Sequence, residues 1–394
     1  MAKNLKNLLS SFLAYRLTPQ VKELYSSTLI LNLALYMVLI FEPVFLYTIF
    51  ITVQPLSVTL EIILYFYLAV YVLYFLVLPW GAKFAQRFGY EHSIAVGSFF
   101  TALFYFCFWG IRGNWWLMPI AVIFYVLSKT FYWPAYHCNF AKFSIDGQQG
   151  REVSNLMALQ SAVIIAGPII GGLVLKFFGF SVLFVLVTII ILVSNIPMLV
   201  TKEQAEGTPF SYWGAYRRLF QRSNRRRFLS LWGFGEELIL MVIWPIFIFI
   251  VVKDFFGLGL ISAASTLVMT AVYLYIGRLA DHQDRRVVLR LGTVLYFFSW
   301  LFRLIVRSVF GVFVVDTYSK IAKQTNSIPL IAATYEDAQD NSVIKRIVFF
   351  EMSLVVGKII AIVAGLVLVN LFAPGWNALF ILAGLMSILY LGYR

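Results

Sequence analysis

Residues 347–372 read IVFFEMSLVVGKIIAIVAGLVLVNLF, an apolar run of membrane-crossing length interrupted by two charges, Glu351 and Lys358. At about 1.5 Å of rise per residue, such a helix spans a hydrocarbon core of about 30 Å. The strands of an outer-membrane barrel alternate over about ten residues instead. Working outward from this run, comparable stretches lie at 27–50, 59–79, 93–111, 115–137, 154–176, 180–199, 228–252, 258–277, 287–307, 309–333 and 375–392. The span at 309–333 is the most polar, since it carries Asp316, Lys320 and Lys323. Composition agrees with the runs: 61% of the 394 residues are apolar, 12% are charged and the mean hydropathy is +0.86. A soluble domain this apolar would show more greasy surface than one core can hide. A disordered chain and a disulfide scaffold are excluded on the same composition. The expectation is an all-α polytopic membrane protein with twelve transmembrane helices.

The charge balance sets the sidedness. Lys and Arg number 31 against 18 acidic residues, for a net charge of +13. In a soluble protein that excess would point to nucleic acid; here it reads as basic loops held on the cytoplasmic side. Twelve spans place most of the basic residues on one face, with both termini, and few on the other. The protein is therefore expected in the cytoplasmic (inner or plasma) membrane, as a multi-pass monomer. The first 22 residues are polar and basic without a cleavage pattern, so the first apolar run is expected to stay as an anchor. Cys107 and Cys138 lie in or beside apolar runs, where a structural disulfide is not expected. No phosphate-binding glycine loop precedes a Lys-Ser/Thr pair, so the chain itself is not expected to use ATP. His92, His137 and His282 are scattered and form no metal-ligand pattern with the cysteines. Neither a cofactor, a nucleic-acid partner nor an enzymatic activity is predicted.

The long connection at 200–227 divides the spans into an N-terminal bundle (1–199) and a C-terminal bundle (228–394). Within it Phe210, Trp213, Tyr216 and Phe220 recur at roughly helical spacing around Arg217 and Arg218, which reads as an amphipathic helix on the anionic inner leaflet. The halves align at an offset of 195: Glu42 falls on Glu237, Ala85 on Ala280, Gly97 on Gly292, Pro134 on Pro329 and Arg151 on Arg346. Internal repeats are a common plan of secondary transporters.

Residues 277–286 read GRLADHQDRR, similar to the signature G-x-L-A-D-R-x-G-R-R of the major facilitator superfamily. Gly277, Leu279, Ala280, Asp281, Arg285 and Arg286 match; His282 and Asp284 depart from it. The equivalent first-half loop, AKFAQRFG at 82–89, keeps Arg87, Phe88 and Gly89 but has Gln86 for the acid and Ala82 for the glycine. The fifth span contains GPIIGG at 167–172, which resembles the fifth-helix motif of superfamily exporters. The resemblance implies two pseudo-symmetric six-helix bundles, the major facilitator (MFS) fold, with a central path lined by spans 1, 4, 7 and 10. It implies gating roles for Gly277, Asp281, Arg285, Arg286, Arg87, Arg151, Gly167 and Pro168. Physically, Asp281 can sit at a helix N-terminus near Arg151 and Glu152 and latch the halves. Gly167 and Pro168 allow close packing and a bend.

Ionisable groups at membrane depth are costly and face a cavity or each other. Asp316, Lys320, Lys323 and Ser327 share one face of the tenth span. Tyr125, Lys129, Tyr132 and Tyr136 repeat the same steps in the fourth. With Asn32 and Tyr36 of the first span, Tyr125, Lys129, Tyr132, Tyr136, Asp316, Lys320 and Lys323 are the candidate substrate contacts. The other reading makes Asp316 and Lys320 a local i,i+4 pair. Glu42, Glu237 and Glu351 are the candidate proton carriers. Glu236 and Glu237 are adjacent, so only one is expected to face a given cavity; Glu351 and Lys358, seven apart, are candidates to neutralise each other. The function expected is a secondary active transporter that moves a small anionic or zwitterionic organic solute by alternating access, coupled to protons or another ion. A drug or metabolite exporter and a lysolipid flippase are the alternatives. Its partners are the small-molecule substrate, the ion and membrane lipids.

Overall fold

The computed structural model describes the backbone of residues 19–143, 149–196, 210–280, 285–339 and 343–393, and the side chains of 26–139, 160–196, 210–272, 286–331, 333–334 and 343–393. Among these the regular structure is all helical, joined by short turns, with no strand. In the first half the helices are α1 (Pro19–Val38), α2 (Glu42–Phe50), α3 (Leu56–Phe88), α4 (Tyr90–Gly110), α5 (Leu117–Phe143) and α6 (Gln149–Ser194). Two short helices follow, α7 (Tyr212–Leu219) and α8 (Arg225–Leu231). The second half contains α9 (Glu236–Leu238), α10 (Trp244–Val252), α11 (Phe255–Ala280), α12 (Arg285–Phe302), α13 (Val309–Gln339), α14 (Val343–Leu371) and α15 (Trp376–Ile388).

Nine helical segments among the described residues are long and apolar enough to cross a bilayer. The difference from twelve has three sources. Spans five and six are two helices that follow each other within α6 with only a turn at Gly179 between them, whose φ of 78° a side chain would strain, and they count as one segment. The tenth span, α13, has ample length but carries its charges within the span. The twelfth forms a shorter apolar helix, Trp376–Gly392. The first span is also two pieces, because Pro43 at the start of α2 cannot continue the backbone bonding of α1.

The two halves repeat one packing scheme. In the first, α1 packs on α6, α3 and α4 on α5, and α4 on α6. In the second, the 3₁₀ turn Trp232–Gly235 packs on α14, α11 and α12 on α13, and α12 on α15. The halves meet along α6 with α11 and along α3 with α14, two contacts that exchange under a twofold axis. GPIIGG is the seam of the first contact. A Cβ on Gly171 would lie 1.9 Å from the Met37 carbonyl oxygen, and one on Gly167 would lie 2.6 Å from Cβ of Tyr36. On the far side, the Pro168 carbonyl lies against Gly259 of α11. Small residues thus let α6 sit between α1 and the opposite half, as lipid-embedded packing demands.

Helix α7 is capped by Ser211, whose Oγ accepts the Gly214 N–H at 3.1 Å. Its Tyr212 and Tyr216 hydroxyls donate to the carbonyls of Leu76 (2.9 Å) and Phe75 (3.0 Å) on α3. Tyr216 therefore turns inward, while Trp213 and Phe220 are exposed. Farther along, Arg226 donates from Nε to the Gly392 carbonyl at 3.2 Å.

Candidate functional site

In the first half the break between α1 and α2 delivers Glu42 into the bundle, 2% exposed. Its carboxylate accepts the Tyr67 hydroxyl at 2.9 Å and the Tyr105 hydroxyl at 3.1 Å, and the Tyr125 hydroxyl also faces it. Tyr125 stacks on Phe104 with centroids 4.3 Å apart and 10° between planes. Lys129, one turn on in α5, rests its ammonium 4.3 Å from the Tyr125 ring centroid and 5.4 Å from that of Tyr71. Farther along α5, Tyr132 and Tyr136 stack on each other, centroids 5.5 Å apart. Asn32 and Tyr36 are half-buried on α1, with Tyr36 against Gly167.

The second half answers with paired ions. Around Glu236 the chain passes from the 3₁₀ turn Trp232–Gly235 through α9 into the π-helical stretch Ile239–Ile243. Lys323 of α13 bonds the Glu236 carboxylate and lies 3.2 Å from that of Glu237. Lys358 of α14 takes the other Glu237 oxygen at 3.1 Å. Tyr296 (2.5 Å) and Tyr390 (3.1 Å) donate to Glu236. Both acids thus reach one ammonium, contrary to the expectation that adjacent positions face different cavities. A flexible lysine inserted between them, at a locally altered helical pitch, bridges the angle. Lys358 is likewise committed to Glu237 rather than to Glu351.

Glu351 has other partners. Tyr74 donates to it at 3.0 Å, and Nε2 of His137 lies 3.0 Å away, so α3 and α5 of one half meet α14 of the other at this residue. Asp316 forms the i,i+4 pair with Lys320 at 2.8 Å and accepts Nε1 of Trp244 at 2.9 Å. Lys320 also donates to the Ser262 carbonyl (2.9 Å) and to Thr266 (3.2 Å) on α11. Fully buried Arg303 lies behind this pair, over the rings of Trp300 (3.7 Å) and Trp244 (4.6 Å), and donates to Ser319 at 2.7 Å.

Tyr71 joins the clusters. Lys129 approaches its ring from one half and Lys358 from the other, 5.4 and 5.5 Å from the centroid. A continuous string results: Glu42 and its tyrosines, Lys129, Tyr71, Lys358, Glu237, Lys323, Glu236. Sequence reasoning named the string's charges but missed Tyr67, Tyr71 and Tyr74, the role of His137, and the pairing of Lys358. The available signal was the 67, 71, 74 spacing, which repeats the steps of 125, 129 and 132 on another helix. Of the gating candidates, Gly167 and Pro168 lie in the α6 seam, and the Arg87 guanidinium lies over Phe88. Arg286 is exposed at the start of α12. Asp281 and the side chains of Gly277, Arg285, Arg151 and Glu152 lie outside the described residues.

No family model and no curated protein matches the sequence. Solved structures do match over nearly the whole chain. A proton-dependent oligopeptide (POT) family transporter aligns with a TM-score of 0.71 at 13% identity, covering 94% of this chain and 100% of that one. The POT family transporter PepTSo aligns at 0.70 and 13% identity, covering 95% and 98%. The E. coli fucose:proton symporter FucP aligns at 0.63 and 15% identity, covering 94% and 96%. At such identities the likeness is one of architecture, and it agrees with the exchange of helix contacts between the halves: the chain has the major facilitator fold.

Proposed function

We propose that this protein is a secondary transporter that carries a small anionic or zwitterionic organic solute across the membrane by alternating access of its two halves, coupled to protons. The observation that carries this reading is the state of Lys129. Lys320, Lys323 and Lys358 are each held by a carboxylate. Lys129 is held by two aromatic rings, next to the point in the string where the halves meet at Tyr71. A cation at membrane depth resting on rings offers an incoming carboxylate or phosphate a partner without first breaking an ion pair. Tyr125, Tyr132, Tyr136 and Tyr36 add hydroxyls and ring faces along the same path.

Glu42 is the coupling carboxylate in this reading. Its donors are tyrosine hydroxyls, which rotate to donate to a carboxylate or accept from a carboxylic acid, so the site holds either protonation state. Glu351 is the next position for a proton, because its partners Tyr74 and His137 belong to the other half and its bonding changes when the halves move; Glu237, between Lys323 and Lys358 of its own half, is the third. The proton-coupled activities named for the structural neighbours favour the same reading. The basic residues of 217–227 favour a cytoplasmic linker.

The test is uptake by the full-length protein in liposomes. Labelled dipeptides, carboxylates, sugars and organic cations are offered with and without an inward proton gradient. Uptake of an anionic or zwitterionic class that rises with the gradient, is lost in Lys129→Gln and loses its gradient dependence in Glu42→Gln supports the reading. Uptake of neutral or cationic solutes alone, indifferent to Lys129 and to the gradient, overturns it.

A further inference from the structure

The second half carries a large groove that the ionic string does not use. It has a volume of about 1260 Å³ and lies between α14 and α15. One wall is Ile359, Val363 and Val367; the other is Ala378, Ile381 and Leu385; Phe247 of α10 contributes to the lining. On α14, Val363 and Val367 project from the side opposite Lys358, as their spacing on the helix requires, and both are exposed. The groove opens outward from the bundle rather than toward the string.

Its length and its end are informative. From Ile359 to Phe372 the helix rises about 20 Å, which matches one leaflet of a ~30 Å hydrocarbon core plus the edge of its headgroup layer. The end lies at the side of the bundle away from α7, because α14 runs from near the linker toward Leu371. Arg307 and Asn377 line that end. The Arg307 guanidinium donates to the Val306 carbonyl at 2.8 Å and forms no ion pair among the described residues. Below this cation the named wall residues are all apolar, and Ala364 and Ala378 keep the groove open by their small size.

We propose that the groove is a binding site for a single membrane phospholipid, with an acyl chain lying between α14 and α15 and the phosphate on Arg307. An apolar trough one leaflet long, capped at its headgroup end by an unpaired guanidinium, complements that amphiphile in both length and charge. The site has a route to the transport machinery. The Phe247 ring stacks on Trp244, centroids 5.5 Å apart and 13° between planes, and Trp244 donates to Asp316. A chain in the groove therefore bears on the ring that orients the Asp316–Lys320 pair.

The experiment is native mass spectrometry of the full-length protein in detergent, titrated with phosphatidylglycerol, with diacylglycerol of the same chains, and with phosphatidylglycerol against excess inorganic phosphate. Wild type binds one phosphatidylglycerol that inorganic phosphate does not displace. Arg307→Gln weakens phosphatidylglycerol about fivefold and leaves diacylglycerol unchanged. Ala364→Trp, which fills the trough, removes both; Ala378→Phe serves if Ala364→Trp does not fold. Equal phosphatidylglycerol binding by wild type and the filled variant overturns the proposal. So does displacement by free phosphate, or a self-association that the filled variant abolishes in place of lipid binding.

Discussion

The two ends of the ionic string are built on different principles. In the second half the acids of the string and Asp316 each have a lysine: Glu236, Glu237, Lys323 and Lys358 alternate within bonding distance, and Asp316 holds Lys320. In the first half Glu42 and Lys129 lie near enough to attract each other, yet their direct contacts are with tyrosines: hydroxyls on Glu42 and ring faces on Lys129. A buried ion pair is stable only as a pair; removing one member leaves an uncompensated charge in a medium that does not tolerate it. Charges held by hydroxyls and rings are less tightly held and more available. The second half thus resembles a locked charge lattice, and the first a place where a charge can be exchanged.

That contrast can be broken most sharply at Glu236. Glu236→Gln leaves Lys323 and Lys358 sharing Glu237 alone, and is expected to cost about 3–5 kcal/mol. A thermal-unfolding scan in detergent reads this as a Tm drop of several degrees. The double variant Glu236→Gln with Lys323→Gln should recover most of it, because charge balance returns. A single variant as stable as wild type would show that the lattice contributes little.

Lys129→Gln is expected to leave stability nearly unchanged and to lower uptake by about 2 kcal/mol in transport efficiency, roughly thirtyfold. A stability loss as large as that of Glu236→Gln would erase the distinction between the halves. Glu42→Gln should cost only about 1 kcal/mol in unfolding, since the amide oxygen still accepts from one of the tyrosine hydroxyls and the amide NH2 donates to the other, which rotates to accept. Counted per contact, the smallest expected effect is that of Tyr71→Leu, about 0.5–1 kcal/mol for each of the two ammoniums that lose its ring. A cycle with Lys358→Met would show whether the two lysines feel the ring separately.

The span pattern was legible because membrane depth leaves a long apolar signature, and Glu42, Lys129, Asp316 and Lys323 stood out against it. What the sequence hid was partnership. Tyr71 in an apolar run reads as one more aromatic residue, and nothing local shows that lysines from two helices will meet on its faces. His137 looked ordinary because its acid lies on the other half. Glu236 and Glu237 were separated by ideal helical geometry, whereas the chain departs from that geometry on both sides of them.

The linker has a mechanical meaning as well. Two tyrosine hydroxyls fasten it to α3, and ten residues beyond the second, Arg226 fastens it near the chain's last residues. Each anchor belongs to a different half. Stretched at about 3.4 Å per residue, the stretch between Tyr216 and Arg226 would reach roughly 34 Å, so a relative shift of the halves by a few ångströms would stay within the reach of this leash. Such a shift would load the seams between helices rather than the covalent tie.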